Sequence, residues 1–129
     1  PAHCTAIGKL ALSNLGEPEL LAAIEAMPRP SYTANTITEV DTLLRAFEDI
    51  RRDGIGTDNQ EFMHGVVCVA VPVIGEGSRF LGGVAISAPE ARMTLNEMLG
   101  FIPQMKDAAA RLSATYTRGQ PPESKRRTR

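Results

Sequence analysis

What the chain lacks narrows its function first. Its 129 residues carry 14 Lys and Arg against 15 Asp and Glu, a formal net charge of −1. There is no overall positive field to hold it on a phosphate backbone, so nucleic acid is not expected as a direct partner of this segment. The one basic cluster, Lys125, Arg126, Arg127 and Arg129, follows Gly119, Pro121 and Pro122, and 119–129 read as a flexible, solvated tail. No apolar run approaches the roughly 20 residues of a membrane-spanning helix, and no basic-then-apolar leader opens the chain. The expected location is cytoplasmic, with no membrane contact. Two cysteines, Cys4 and Cys68, are too few for a disulfide framework, and each sits among small or apolar neighbours, as buried reduced thiols do. Internal repeats, a Gly-rich phosphate loop and a nucleophile elbow are also missing. The opening Pro1-Ala2-His3, without an initiator Met, reads like the interior of a longer protein.

What is there fits one domain over 1–118, since 43% of the residues are hydrophobic and the length supports a single core. Thr5 is placed to cap a helix through Asn14, with Ile7, Leu10 and Ala11 on the apolar side and Lys9 and Ser13 toward water. After Gly16, Pro18 suits a first helical turn, and Leu20, Leu21 and Ile24 mark a second helix that stops before Pro28. Ser31 to Thr38 is a polar, threonine-rich loop or edge strand. Thr38 with Asp41 approximates a capping box for a third helix, whose stripe is Val40, Leu43, Leu44, Phe47 and Ile50. Gly54 stands where a left-handed cap is wanted, before a short strand to Asp58.

Val66 to Ile74 is a β-branched run, Gly75-Glu76-Gly77-Ser78 is turn chemistry, and Phe80 to Ser87 is a second apolar strand, which together predict an antiparallel hairpin. Both parities of the first strand are apolar, so helices must cover both faces. Thr94 with Glu97 is a second capping box, opening a helix along Leu95, Met98, Ile102, Met105, Ala109, Leu112 and Tyr116, bent at Pro103. The class is α+β, an antiparallel sheet flanked by helices on both sides.

Chemistry has three candidate places. The first amides of the Thr5-capped helix, at Ala6 and Ile7, are free to hold a carboxylate or phosphate, with Gly8 allowing close packing; a capped helix start without a ligand is the plain alternative. If the hairpin pairs Cys68 with Ser87 and Ala70 with Ala85, then Asp58, Cys68 and Ser87 form a polar group on one face; a thiol used as a small hydrophobe and a hydroxyl bonded to backbone is the alternative. His3, Cys4, His64 and Cys68 total four soft ligands, but in a strand His64 and Cys68 stand roughly 13 Å apart, which argues against metal. A thiol enzyme with Cys68 as nucleophile and His64 or His3 as base has only residue types behind it, and a thiol buried mid-strand is inert; Cys4, near a helix start, is better placed.

Five motifs in order then resemble the IclR-type bacterial transcription regulators: Pro1-x-His3-x-Thr5-Ala6-x-Gly8-Lys9; Thr36-Ile37-Thr38; Gly54 followed by Asp58, Glu61 and Phe62; Gly65-Val66-x-Cys68-x-Ala70-x-Pro72-Val73; and Ile86-Ser87-x-Pro89-x-x-Arg92. The resemblance implies a GAF-like effector-binding domain and not an enzyme. It further implies a small-molecule effector, an organic or aromatic acid; a homodimer or homotetramer; and DNA contact only through a winged helix-turn-helix outside this chain. It implies no cofactor and no catalytic or metal-binding residue. The family's carboxylate-holding amides fall on Ala6 and Ile7, its polar pocket side chains on Asp58, Cys68 and Ser87, and Val66 is part of the apolar wall. Two departures matter. The family often has Ser-x-Ser where Ala85-Ile86-Ser87 stands, so one hydroxyl is lost and a larger apolar or aromatic effector is expected. The family's sensing domain also normally begins with a helix and strands ahead of the segment matching Pro1, so this stretch is expected to lack the domain's N-terminal part. If these residues are all there is, an open sheet edge and an incomplete pocket follow, and if a separate segment supplies the rest the complete domain is sound. The rival from another class is a domain kept only for oligomerisation, its pocket filled by its own side chains.

Overall fold

Thr5 starts the first helix as its spacing predicts: extended at φ −116°, it accepts the Gly8 amide on its hydroxyl at 3.1 Å. The computed structural model describes residues 1–119. In chain order these form α1 (Ala6–Ser13), α2 (Glu17–Ala26), α3 (Val40–Asp53), β1 (Gly56–Asn59), β2 (Val66–Ile74), β3 (Phe80–Pro89), α4 (Leu95–Leu99) and α5 (Ile102–Gly119). The tail expected over 119–129 lies, apart from Gly119, outside the described residues.

The strands form one antiparallel sheet in the order β1-β2-β3, and β2 is apolar on both sides because each side meets helices. Val67, Val69, Val71 and Val73 pack with Met98, Met105 and Ala109 of α4 and α5. Ala70, with Cys68 beside it, joins Ala6 and Leu10 of α1, Leu20 and Ile24 of α2, and Leu43, Phe47 and Ile50 of α3. The α+β, GAF-like arrangement with helices on both faces is therefore the observed one. Phe47 and Leu43 are fully buried, and each side chain removed from water in this way contributes about 2 kcal/mol. The spacing Leu43, Phe47, Ile50 puts all three on one stripe of α3, and Gly54 ends that helix at φ 68°, in the left-handed region that suits glycine.

Four details differ from the sequence expectation. Lys9 and Ser13 do not face water: both are buried, Lys9 against Glu61 and Ser13 with its hydroxyl donated to the Leu10 carbonyl. The third helix is capped at Glu39 without a side-chain bond, so the Thr38 box does not form, whereas the Thr94 hydroxyl does accept the Glu97 amide at 3.2 Å. The C-terminal helix is broken rather than bent. The Gly100 amide bonds back to Glu97 and Pro103 falls in the first turn of α5, where its missing N–H costs nothing. Leu112 and Tyr116, counted in the core stripe from spacing, are exposed, as is Leu21 of α2.

Candidate functional site

The hairpin register decides whether the polar residues meet. A turn at Glu76–Ser78 and an irregularity between Val73 and Ile74 set β2 and β3 so that Cys68 pairs with Ser87 and Ala70 with Ala85. On its other side β2 pairs Cys68 with Asp58 and Ala70 with Gly56. Asp58, Cys68 and Ser87 thus form one row across all three strands. Directly cross-strand residues project to the same face, so their side chains share the α1 side of the sheet. The Cys68 thiol donates to the Ser87 hydroxyl at 3.0 Å. Val66 lies one step further out on the same face of β2, opposite Pro89, and is half-buried.

The start of α1 sits over the adjacent row. A Cβ on Gly56 would lie 2.5 Å from the Ala6 carbonyl oxygen, so the first turn of the helix rests directly on β1 where only glycine allows it. A Cβ on Gly83 would run into the Ile7 side chain, which places Ile7 toward β3. Gly8 is equally constrained, its Cβ falling 2.5 Å from Ala2 Cα. Ala6 is buried, while Ile7, Ala85 and Ser87 are exposed. The described residues therefore form an open face rather than a closed cavity. A carboxyl, a thiol and a hydroxyl lie along one row, with the capped helix start over the next; the seven candidates Ala6, Ile7, Asp58, Val66, Cys68, Ala85 and Ser87 all fall on this side of the sheet.

Electrostatics separates these groups. Asp58 is 3% exposed, and burial pushes its carboxyl above the usual carboxylate range; the Glu61 and Phe62 amides and the Lys9 ammonium draw it back only in part. Burial also raises the Cys68 thiol, an effect its hydrogen bond with Ser87 offsets only in part, and raises the Cys4 thiol. Thiols held protonated in this way make hydrogen-bonding and apolar contacts, not nucleophiles. His3, offered as a base in the enzyme reading, is buried with Nε2 donating to the Pro30 carbonyl at 2.9 Å. His64 is exposed. Among the described residues no group of three or more His, Cys, Asp or Glu is arranged to hold a metal ion, and no helix is long and apolar enough to cross a membrane.

Two residues that sequence reasoning left without a role stand beneath the row. Lys9 Nζ lies 2.7 and 2.9 Å from the two carboxylate oxygens of Glu61, and both residues are buried. Both belong to the motifs quoted above, and the place of a lysine and a second carboxylate within those motifs was the available signal. The opposite face of the sheet carries a cleft of about 400 Å³ between β3 and α4–α5, walled by Val84, Ile86, Met93, Met98, Phe101 and Met105. None of its lining residues is charged, so it has nothing to neutralise a carboxylate.

Known proteins share this architecture. Residues 1–114 match the family described as bacterial transcriptional regulator IclR, C-terminal. The chain is 35% identical over 116 residues to the probable transcriptional regulator SauR of Cupriavidus necator, covering 90% of this chain and 46% of SauR. The crystal structure of the C-terminal domain of the Escherichia coli transcriptional regulator KdgR superposes with a TM-score of 0.81 at 32% identity, over 88% of this chain and 70% of that one. A double mutant of the inducer-binding domain of PobR from Acinetobacter, in complex with 3-hydroxybenzoic acid, superposes with a TM-score of 0.84 at 25% identity, over 88% of this chain and 65% of that one. The chain belongs to the IclR family of bacterial transcriptional regulators, as its C-terminal effector-binding domain. That is a family of regulators, not of enzymes. The chain spans about half the length of the curated relatives it matches.

Proposed function

We propose that the face formed by α1 and the Asp58–Cys68–Ser87 row binds the carboxylate of a small organic or aromatic acid. Binding then alters DNA contact by a winged helix-turn-helix elsewhere in the whole regulator. The observation that carries the reading is the placement of that row on the same side of the sheet as the start of α1, whose first amides have no intrahelical partners and favour an anion. Ala6 and Ile7 supply those amides, Asp58, Cys68 and Ser87 hydrogen-bond the rest of the ligand, and Val66 forms apolar wall. Ala85 offers a methyl where a second hydroxyl would favour a compact polar acid, which turns preference toward an aromatic or larger apolar body. The 3-hydroxybenzoic acid held by the PobR domain belongs to that class. The effector acts by linkage: it binds one arrangement of subunits in a cytoplasmic homodimer or homotetramer better than another, and shifts the spacing of the DNA-binding domains accordingly.

A panel of organic acids titrated against thermal unfolding of the intact regulator tests the reading, because a ligand of the folded state raises the melting temperature with concentration. A shift given by an aromatic acid and lost in Asp58→Ala and Ser87→Ala is expected. No shift from any acid favours a domain retained for oligomerisation. Isothermal titration then tests the finer claim: clear preference for small keto acids over aromatic acids overturns the role given to Ala85.

A further inference from the structure

Lys9 follows Ala6 by three residues, one helical turn along α1, and its side chain runs inward to an ion pair that water does not reach, with 3% exposure for Lys9 and 5% for Glu61. Glu61 sits just past β1. Gln60, at φ 57° in the left-handed region that non-glycine residues seldom occupy, turns the chain back there. That turn brings the Glu61 amide to the Asp58 carboxylate, N to Oδ1 2.7 Å, while Glu61 Oε2 accepts the Asn59 amide at 3.1 Å. The Glu61 carbonyl accepts the Thr36 hydroxyl at 2.6 Å, tying in the polar loop ahead of α3. One residue therefore joins the helix that offers the amides, the strand that carries Asp58 and the neighbouring loop.

Stability alone gives little reason for charge here. Two buried ions lose so much hydration that a well-packed apolar pair of similar volume often serves a fold as well or better. What the ion pair supplies and an apolar pair cannot is a fixed cation beside a buried carboxyl, on the helix whose start faces the ligand. We propose that Lys9 and Glu61 are positioning residues of the effector site, holding the Asp58 carboxyl against the start of α1 and setting the charge it faces. This rests on the reading of the site given above. The charged and titratable groups around Asp58 are Lys9 from α1, Cys4 ahead of α1, Glu61 from the loop after β1 and Cys68 from β2.

The test uses the intact polypeptide with Lys9→Met and Glu61→Leu combined, and reads two quantities. Infrared difference spectra against Asp58→Asn follow the protonation of Asp58 itself; calorimetry follows the affinity for whichever acid raises the melting temperature of the wild type. Lys9 is the member of the pair whose charge acts on Asp58, Glu61 reaching it through its backbone amide, so with the cation gone Asp58 is expected to titrate at higher pH than in the wild type. Acid affinity is expected to fall about tenfold, within the coupling range of contacting residues. A purely structural pair would move neither once the protein is folded. Wild-type titration of Asp58 in the folded double variant overturns the proposal, whatever the acids do. If the wild type binds no acid, the effector reading fails separately, and the titration still judges the positioning claim. Should the apolar pair prevent folding, Lys9→Gln reads the same claim: loss of the cation must raise the Asp58 titration, and an unchanged one overturns it.

Discussion

Gly56→Ala tests the seat of α1 directly. The added methyl would stand 2.5 Å from the Ala6 carbonyl oxygen and 3.2 Å from Leu10 Cβ, the first about 1 Å and the second about 0.3 Å short of the ~3.5 Å at which such atoms rest comfortably. Neither neighbour is a flexible chain end. One is helix backbone and the other a Cβ fixed to it, so relief requires lifting the first turn of α1 away from β1. Forcing a methyl into a close-packed contact of this kind costs about 2 kcal/mol, and at about 4 °C per kcal/mol for a domain of this size the melting temperature falls by about 8 °C. Gly75→Ala is the control. Its methyl's three nearest neighbours all belong to the Leu81 side chain, at 2.9 Å and beyond, which can rotate away, so the loss stays below about 1 kcal/mol. Because the lifted turn carries the Ala6 and Ile7 amides, and a binding site tolerates only about 0.5 Å of displacement, acid affinity should fall with stability in Gly56→Ala and not in Gly75→Ala. Thermal unfolding and calorimetry of the two variants decide it. Equal melting temperatures would mean that α1 does not rest on Gly56, and the proposed geometry of the anion site would go with it.

Removing one partner of the buried pair should be severe: Lys9→Met leaves Glu61 without its counter-ion and should lower stability by about 3–5 kcal/mol, with Lys9→Met/Glu61→Leu recovering most of it in denaturant titrations. Asp58 titrates above its unfolded value, so its favourable contribution is complete below the unfolded value of about 3.9 and is lost as pH rises through the raised folded value. Asp58→Asn should therefore gain stability relative to the wild type as pH rises across that window, and a difference that is flat or reversed contradicts the burial argument. Both thiols are raised, so iodoacetamide should modify Cys68 more slowly at neutral pH than a free thiol, at a rate still climbing above about pH 8.5; fast alkylation at pH 7 would revive the thiol-enzyme reading. Ser87→Ala should change stability by less than about 0.5 kcal/mol, since the hydroxyl is exposed, while weakening acid binding.

The parts of this domain that are legible in the sequence are those whose cause is local. Thr5 and Thr94 cap helices because the hydroxyl and the amide three residues on meet within one turn. Cys68 faces Ser87 because a short polar turn fixes the register, and a one-residue slip would have set Cys68 opposite a side chain of the other face. What the sequence hides is set by partners far along the chain. Thr38 has the same spacing to an acidic residue as Thr94, yet there the Thr38 carbonyl accepts the Arg29 side chain and the helix begins two residues later. Lys9 reads as a solvent-facing position in a short amphipathic helix, because periodicity weighs polarity and cannot see a carboxylate 52 residues away. The same blindness applies to the site as a whole. The row Asp58–Cys68–Ser87 follows from strand pairing, which alternation and turn chemistry encode, whereas the pair beneath it follows from the seating of α1 on Gly56, a contact between backbones that leaves no hydrophobic pattern. A glycine in a strand and a lysine on the inner side of a helix each look like a local weakness. Taken together they mark where a helix start is brought onto a sheet and a buried cation set beside a carboxyl, and it is at such joint departures from local preference that a binding site is to be sought.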